Sequence, residues 1–169
     1  KGDLASKPSK SIAILTCMDT RINPLKLCGL NIGDAHIIRN AGGRVTDDAI
    51  RSLIISYKLL GTKDWFIIQH TDCGLSKIND KEIADLLEID LETSTLENGN
   101  WKSNKNSKSE AGSNYGRKIK WYTFLNLKES ILEDLEKIKN HPLIPKNINI
   151  YGFIYDVNTG RLEPLETFK

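Results

Sequence analysis

The sequence predicts an α/β protein built on an open, mainly parallel sheet. Two observations carry that expectation. Short apolar runs, IAILT (12–16), AHIIRNAGG (35–43), WFIIQ (65–69) and INIYGFIYDV (148–157), read as strands. Segments of helical periodicity separate them, the alternation expected of a parallel sheet. At 169 residues the chain is long enough for one substantial core and short for two, so a single domain over residues 1–169 is expected.

Between the strands, NPLKLCGL (23–30) reads as a short helix with Pro24 in its first turn and Gly29 near its end. TDDAIRSLIISYKLLG (46–61) carries the clearest helical signature. Thr46 can cap it, Asp47 and Asp48 suit its positive end, and Gly61 can end it in the left-handed conformation. Ala49, Ile50, Leu53, Ile54, Tyr57 and Leu60 recur at helical spacing, and Ile55 and Leu59 widen the stripe. Such a helix is expected to be covered on more than one side. KEIADLLE (81–88) reads as a further short helix. The stretch at about 97–120, rich in Asn, Ser, Lys and Gly, reads as a polar, mobile surface loop. WYTFLNLKESILEDLEKIKN (121–140) is expected to be an amphipathic helix through Phe124, Leu127, Ile131, Leu135 and Ile138. HPLIP (141–145) ends it, and NTGR (158–161) turns the last strand into a short closing segment.

Charge and composition narrow the function classes. With 24 basic against 22 acidic residues, nothing draws the chain to nucleic acid or an anionic membrane. The lysines of the 97–120 stretch lack the interleaved aromatics of a nucleic-acid patch and read as a solvated loop. No apolar run approaches the roughly 20 residues of a membrane helix. KGDLASKPSKS, at the start, has no apolar signal core, although it begins with Lys rather than Met and leaves room for an upstream piece. Three cysteines make no disulfide framework and fit a reducing compartment, so a cytoplasmic location is expected. Cys28, inside LKLCGL, reads as small buried packing.

Two strand ends carry the chemistry. FIIQHTDCG (66–74) stops on His70 and Cys73, and IAILTCMDTR (12–21) stops on Cys17, Asp19 and Arg21. If the strand order is 2-1-3-4, the first and third strands are neighbours at the point where the order reverses, where ligands of such sheets gather. Two thiolates and an imidazole then form a soft-to-borderline ligand set for zinc with a fourth position open, the catalytic arrangement. The alternatives are a hydrogen-bonded core histidine beside two inert cysteines, or a redox pair without the usual C-x-x-C spacing. Asp19 and Arg21, two apart on extended chain, point the same way as Cys17. Arg21 can hold Asp19 off the metal in a bidentate pair and leave it to accept a hydrogen bond from zinc-bound water.

C-x-D-x-R at 17–21, RNAGG at 39–43 and HTDCG at 70–74 together resemble the β-class carbonic anhydrases. The resemblance runs on through TDDAIRS, LLGTK, HPLIP and GFIYDVNTGRL, and covers most of the chain outside about 79–120. It implies a three-layer α/β/α fold with strand order 2-1-3-4 plus an added edge strand. It implies a zinc enzyme with Cys17, His70 and Cys73 as ligands and Asp19–Arg21 as the active-site dyad. At least a homodimer is implied too, with sites near the subunit interface. The segment ahead of the first strand is short, so either contacts are expected to lean on other surfaces such as the 46–61 helix, or an N-terminal arm has been removed. The implied reaction is reversible hydration of carbon dioxide to bicarbonate. Asn40, Ala41, Gly42 and Gly43 are expected either to wall the substrate pocket with backbone or to form a turn that needs small residues. Hydrolysis of carbonyl sulfide or carbon disulfide at the same zinc is the alternative, and a non-catalytic zinc- or bicarbonate-binding protein ranks below it. His36, early in its strand, reads as structural rather than as a proton shuttle. His141 reads as a helix-end residue complementing the dipole.

Overall fold

Four strands of one five-stranded sheet run parallel in the computed structural model, which describes residues 4–168. In chain order the elements are β1 (Ile12–Cys17), α1 (Pro24–Leu27), β2 (Ala35–Asn40), α2 (Asp47–Lys58), β3 (Asp64–His70), α3 (Asp80–Ile89) and β4 (Ser94–Glu97). They continue with β5 (Asn100–Ser103), α4 (Leu127–Lys139), β6 (Asn149–Tyr155) and β7 (Leu162–Phe168). The sheet order is β2-β1-β3-β6-β7, with β7 antiparallel on the edge and β4–β5 a separate hairpin. The expected order and added edge strand are both present. Gly74–Leu125 forms one compact unit, and the residues on either side of it form the other.

The register explains where the site lies. Cys17 is level with Asn40, and Thr16 is level with Ile68, so β1, β2 and β3 end together. Ala13 to Cys17 are all buried, as expected of a parallel strand covered on both faces. On one face α2 and α4 bring Leu53, Ile131, Leu135 and Ile138 against Ala13, Leu15, Trp65 and Ile67. Gly152 on β6 permits that approach, because a Cβ there would meet Leu135 Cδ1 at 2.7 Å. Among the described residues, no helix is long and apolar enough to cross a membrane.

Local chemistry sets the helix ends. Thr46 Oγ1 accepts the Ala49 N–H at 3.2 Å, and Gly61, at φ +73°, takes up the left-handed position after α2. The apolar stripe is less covered than expected, since Ile55 is 42% and Leu59 70% exposed. Helix α4 begins at Leu127, six residues later than its periodicity predicts. Asn126 Oδ1 caps it by accepting the Glu129 N–H at 3.1 Å. Upstream, the N–H groups of Trp121 and Thr123 donate to the Asp80 carboxylate at 3.1 and 3.2 Å and are unavailable to a helix. The 97–120 stretch is not featureless: β4 and β5 turn through Asn98 and Gly99, both at positive φ, and a 3₁₀ helix spans Asn114–Lys118.

A buried ion pair holds the strand ends to α4. Arg44 Nε donates to Asp134 Oδ2 at 2.8 Å, and both side chains are nearly inaccessible. Asp134 also accepts the Val45 N–H at 3.1 Å and Gln69 Nε2 at 2.9 Å, while Ser130 Oγ donates to Gln69 Oε1 at 2.7 Å. Removing one partner strands a charge in the interior. Asp134→Ala should therefore lower unfolding free energy by about 3–5 kcal/mol in urea titrations. Glu133→Ala, at the exposed end 3.9 Å from Arg44, should change it by less than about 0.5 kcal/mol. Gly43 sits at φ +62° with an added Cβ 2.8 Å from Cys17 N and 2.9 Å from Ile68 O. Both contacts are backbone, so Gly43→Ala should lower stability by about 2 kcal/mol or more in the same titration.

Candidate metal centre

β1 and β3 are hydrogen-bonded neighbours, so their carboxyl ends deliver Cys17 and His70 to one place, and the turn after β3 adds Cys73. The two sulfurs and an imidazole nitrogen all lie within 4.8 Å of one another, and all three residues are buried. The turn needs an unusual backbone: Asp72 adopts φ +55°, which tucks Cys73 back toward Cys17. On the other side, Gly42, at φ +78°, points its N–H at Cys17 Sγ, 3.3 Å away.

The hydrogen bonding of His70 is that of an imidazole that could serve as a ligand. Its Nδ1 lies 2.8 Å from the Thr71 carbonyl oxygen, which can only accept, so Nδ1 carries the proton. The lone pair is therefore on Nε2, a buried atom without a hydrogen-bond partner among the described residues. A buried acceptor left unpaired is costly, and a backbone carbonyl fixing the far nitrogen is the usual support of a metal-bound imidazole. The electrostatics agree. The Cys73 side chain, helped by His70 and the N–H groups of Asp19 and Gly42, pulls the Cys17 thiol down to about 4 despite the opposing effect of burial. Burial also opposes a charged imidazole at His70, but Cys17, the Thr71 carbonyl and Asp19 outweigh it and raise that pKa. The two shifts together favour negative charge on the Cys17 sulfur and positive charge beside it. A divalent cation suits such a donor set.

Asp19 and Arg21 form the expected pair beside it. Arg21 Nε donates to Asp19 Oδ1 at 3.0 Å, Nη2 to Oδ2 at 2.8 Å, and the Arg21 N–H to Oδ1 at 2.9 Å. Asp19 Oδ2 is 3.9 Å from His70 Nε2. The Arg21 side chain holds the Asp19 carboxyl well below the usual carboxylate range. Two supports escaped sequence reasoning. Asp72 Oδ2 accepts Arg21 Nη1 at 2.9 Å, tying the β1 loop to the β3 turn. Arg39 reaches across from β2 to donate to the carbonyls of Cys17 and Asp19 at 3.0 and 2.7 Å.

The Asn40–Gly43 segment is split in its roles. Asn40 exchanges hydrogen bonds with the Arg44 backbone at 2.7 and 2.9 Å, closing the loop on itself. Ala41 is exposed, while Gly42 and Gly43 are buried against Cys17. His36 is structural, lying 2.7 Å from Ser56 Oγ and 2.9 Å from the Ser6 carbonyl. His141 departs from expectation: its Nδ1 accepts the Leu143 N–H at 3.2 Å, so it closes a turn as an acceptor, and Lys137 and Lys139 supply the cations of the last helical turn. Cys28 is half-buried rather than core, with burial raising its thiol to about 11.

Comparison with known proteins gives a consistent result. The sequence profile of the carbonic anhydrase family matches residues 12–162, a stretch that includes all three clustered residues. β-Carbonic anhydrase 1 of Mycobacterium tuberculosis is 35% identical over 164 residues, covering 96% of this chain and 86% of that protein. A carbon disulfide hydrolase of Saccharolobus solfataricus is 38% identical over 156 residues, covering 88% and 74%. The crystal structure of carbonic anhydrase from Streptococcus mutans superposes with a TM-score of 0.77 at 41% identity, covering 95% of this chain and 84% of that one. The strand order, the convergent thiols and the orphaned imidazole nitrogen thus have a common explanation, and the chain belongs to the β-carbonic anhydrase family.

Proposed function

We propose that the protein interconverts carbon dioxide and bicarbonate at a zinc ion held by Cys17, His70 and Cys73, with Asp19 and Arg21 as its catalytic pair. The observation that carries this reading is a buried cluster in which an imidazole nitrogen of His70 and the sulfurs of Cys17 and Cys73 lie within 4.8 Å of one another, with His70 Nε2 lacking a hydrogen-bond partner among the described residues. Zinc in such a ligand set supplies Lewis acidity that makes water a nucleophile near neutral pH.

The chain's own groups then do the orienting. Asp19 Oδ1 takes two hydrogen bonds from Arg21 and Oδ2 takes one, so Oδ2, the oxygen nearer His70, keeps a free lone pair. That lone pair accepts the hydrogen bond of the attacking water and turns its oxygen toward the carbon of carbon dioxide. Arg21 keeps the carboxylate ionised and off the metal, and Asp72 and Arg39 hold that pair in place. The buried backbone of Gly42 and Gly43, with Asn40 closing the loop and Ala41 at its outer end, forms one wall of the substrate pocket. Exposed Ile55 and Leu59 on α2 support a homodimer. Reduced thiols at the centre suit a cytoplasmic location.

A second reading keeps the site and changes the substrate to carbon disulfide or carbonyl sulfide, linear molecules electrophilic at the same carbon. The 38% identity to a carbon disulfide hydrolase favours including it. Parallel assays of one zinc-loaded preparation separate the two: carbon dioxide hydration should dominate, and carbon disulfide turnover with negligible hydration would reverse the assignment.

Cys73→Ser should reduce bound zinc to about one-tenth of an equivalent or less by elemental analysis. Asp19→Asn should keep zinc but lower kcat by about 100-fold. The pH profile follows from the sign of the Asp19 shift. Because its pKa is lowered, Asp19 stays ionised well below pH 4, and stability from its pair with Arg21 is lost only as pH falls further. The hydration rate should accordingly show no acid limb in the wild type that Asp19→Asn removes at pH above about 5.

A further inference from the structure

Within the Gly74–Leu125 unit lies a cavity of about 430 Å³, lined from Gly74 onward by residues that have no part in the reaction proposed above. Its volume falls in the range of small-molecule sites. Leu75, Ile83 and Leu86 line it together with Trp101 and Trp121. Both indole N–H groups are committed elsewhere, Trp101 Nε1 donating to the Lys77 carbonyl and Trp121 Nε1 to the Gly116 carbonyl, each at 3.0 Å. What the two tryptophans offer the cavity is therefore apolar ring surface.

The charged lining has one sign. Asp90 and Glu92 border the cavity, and among the described residues no Lys or Arg does. Asp90 is 2% exposed, and its carboxylate is held by neutral donors only: the Glu92 N–H on Oδ1 at 2.9 Å and Ser103 Oγ on Oδ2 at 2.5 Å. Neither it nor the half-buried Glu92 carboxylate has a cationic partner among the described residues. A buried carboxylate without a counter-charge is costly, and each oxygen of Asp90 retains a lone pair. Ring faces attract a cation as well.

We propose that this cavity binds a small amphiphilic amine, its apolar or aromatic body seated among Trp101, Trp121 and the α3 side chains and its ammonium directed to Asp90 and Glu92. Charge complementarity selects that ligand class over a neutral or anionic molecule of the same shape.

The test titrates the zinc-loaded native protein with 2-phenylethylamine, 2-phenylethanol and 3-phenylpropionate, followed by tryptophan fluorescence and by calorimetry. Trp65, the remaining tryptophan, is fully buried in the sheet core, so fluorescence changes report on Trp101 and Trp121. The amine should saturate with a Kd of about 0.1–1 mM, the alcohol should bind about 10-fold more weakly, and the carboxylate should not bind. Glu92→Gln should weaken the amine about 5-fold or more, leave the alcohol unchanged and leave zinc content and hydration rate at wild-type values. Asp90→Asn should act in the same direction, and Glu92→Gln serves alone if that variant does not fold. Equal affinity for the three probes overturns the proposal. So does the absence of saturable amine binding at about 10 mM, the result expected if a second copy of the chain already covers the cavity.

Discussion

A single buried nitrogen lone pair organises this molecule. His70 Nε2 has no hydrogen-bond partner among the described residues, the Thr71 carbonyl holds the proton on Nδ1, and the ring lies in one cluster with the two cysteine sulfurs. Such an arrangement can persist only if strands far apart in sequence are forced to end together. Parallel pairing of β1 with β2 and β3 supplies that force, and Gly43 permits it by leaving room where the Cys17 and Ile68 backbones converge. Topology, turn chemistry and ligand chemistry are thus one constraint seen at three scales.

A second polar layer supports the clustered residues through the chain on either side of them. Gln69 immediately precedes His70, and Arg44 immediately follows the glycine loop. Both meet Asp134, which α4 presents together with Ser130 on a face otherwise made of Ile131, Leu135 and Ile138. The helix thereby orients the β3 terminus and the loop that touches Cys17 Sγ through one carboxylate. Beside the cysteine–histidine cluster, Asp19, Arg21 and Asp72 form a chain of charge-assisted bonds from the β1 loop to the β3 turn. Two ion pairs thus serve the strand ends that carry the cluster, a buried one between Arg44 and Asp134 and a more exposed one between Arg21 and Asp19.

Much of this was legible in the sequence. Parallel strands buried on both faces leave apolar runs, and Cys17, His70 and Cys73 stood out because they interrupt such runs at their ends. The caps of α2 were legible for a similar reason: Thr46 and Gly61 act on local backbone alone. Tertiary contacts decided the rest. Periodicity placed the start of α4 too early because nothing local says that Asp80 will claim the Trp121 and Thr123 N–H groups. Polar composition hid the β4–β5 hairpin, although Asn98-Gly99 is the dipeptide that a tight turn with positive φ requires. Asp134 left a signal too, an acidic residue set on the stripe of Ile131, Leu135 and Ile138. Asp72 left none, since its role depends on where Arg21 comes to lie.

The most direct test is X-ray absorption at the zinc edge on the purified, metal-loaded protein. The account predicts about one zinc per chain, with two sulfur scatterers near 2.3 Å and nitrogen or oxygen near 2.0 Å in the remaining positions. A first shell of oxygen and nitrogen alone, or four sulfurs, would contradict it.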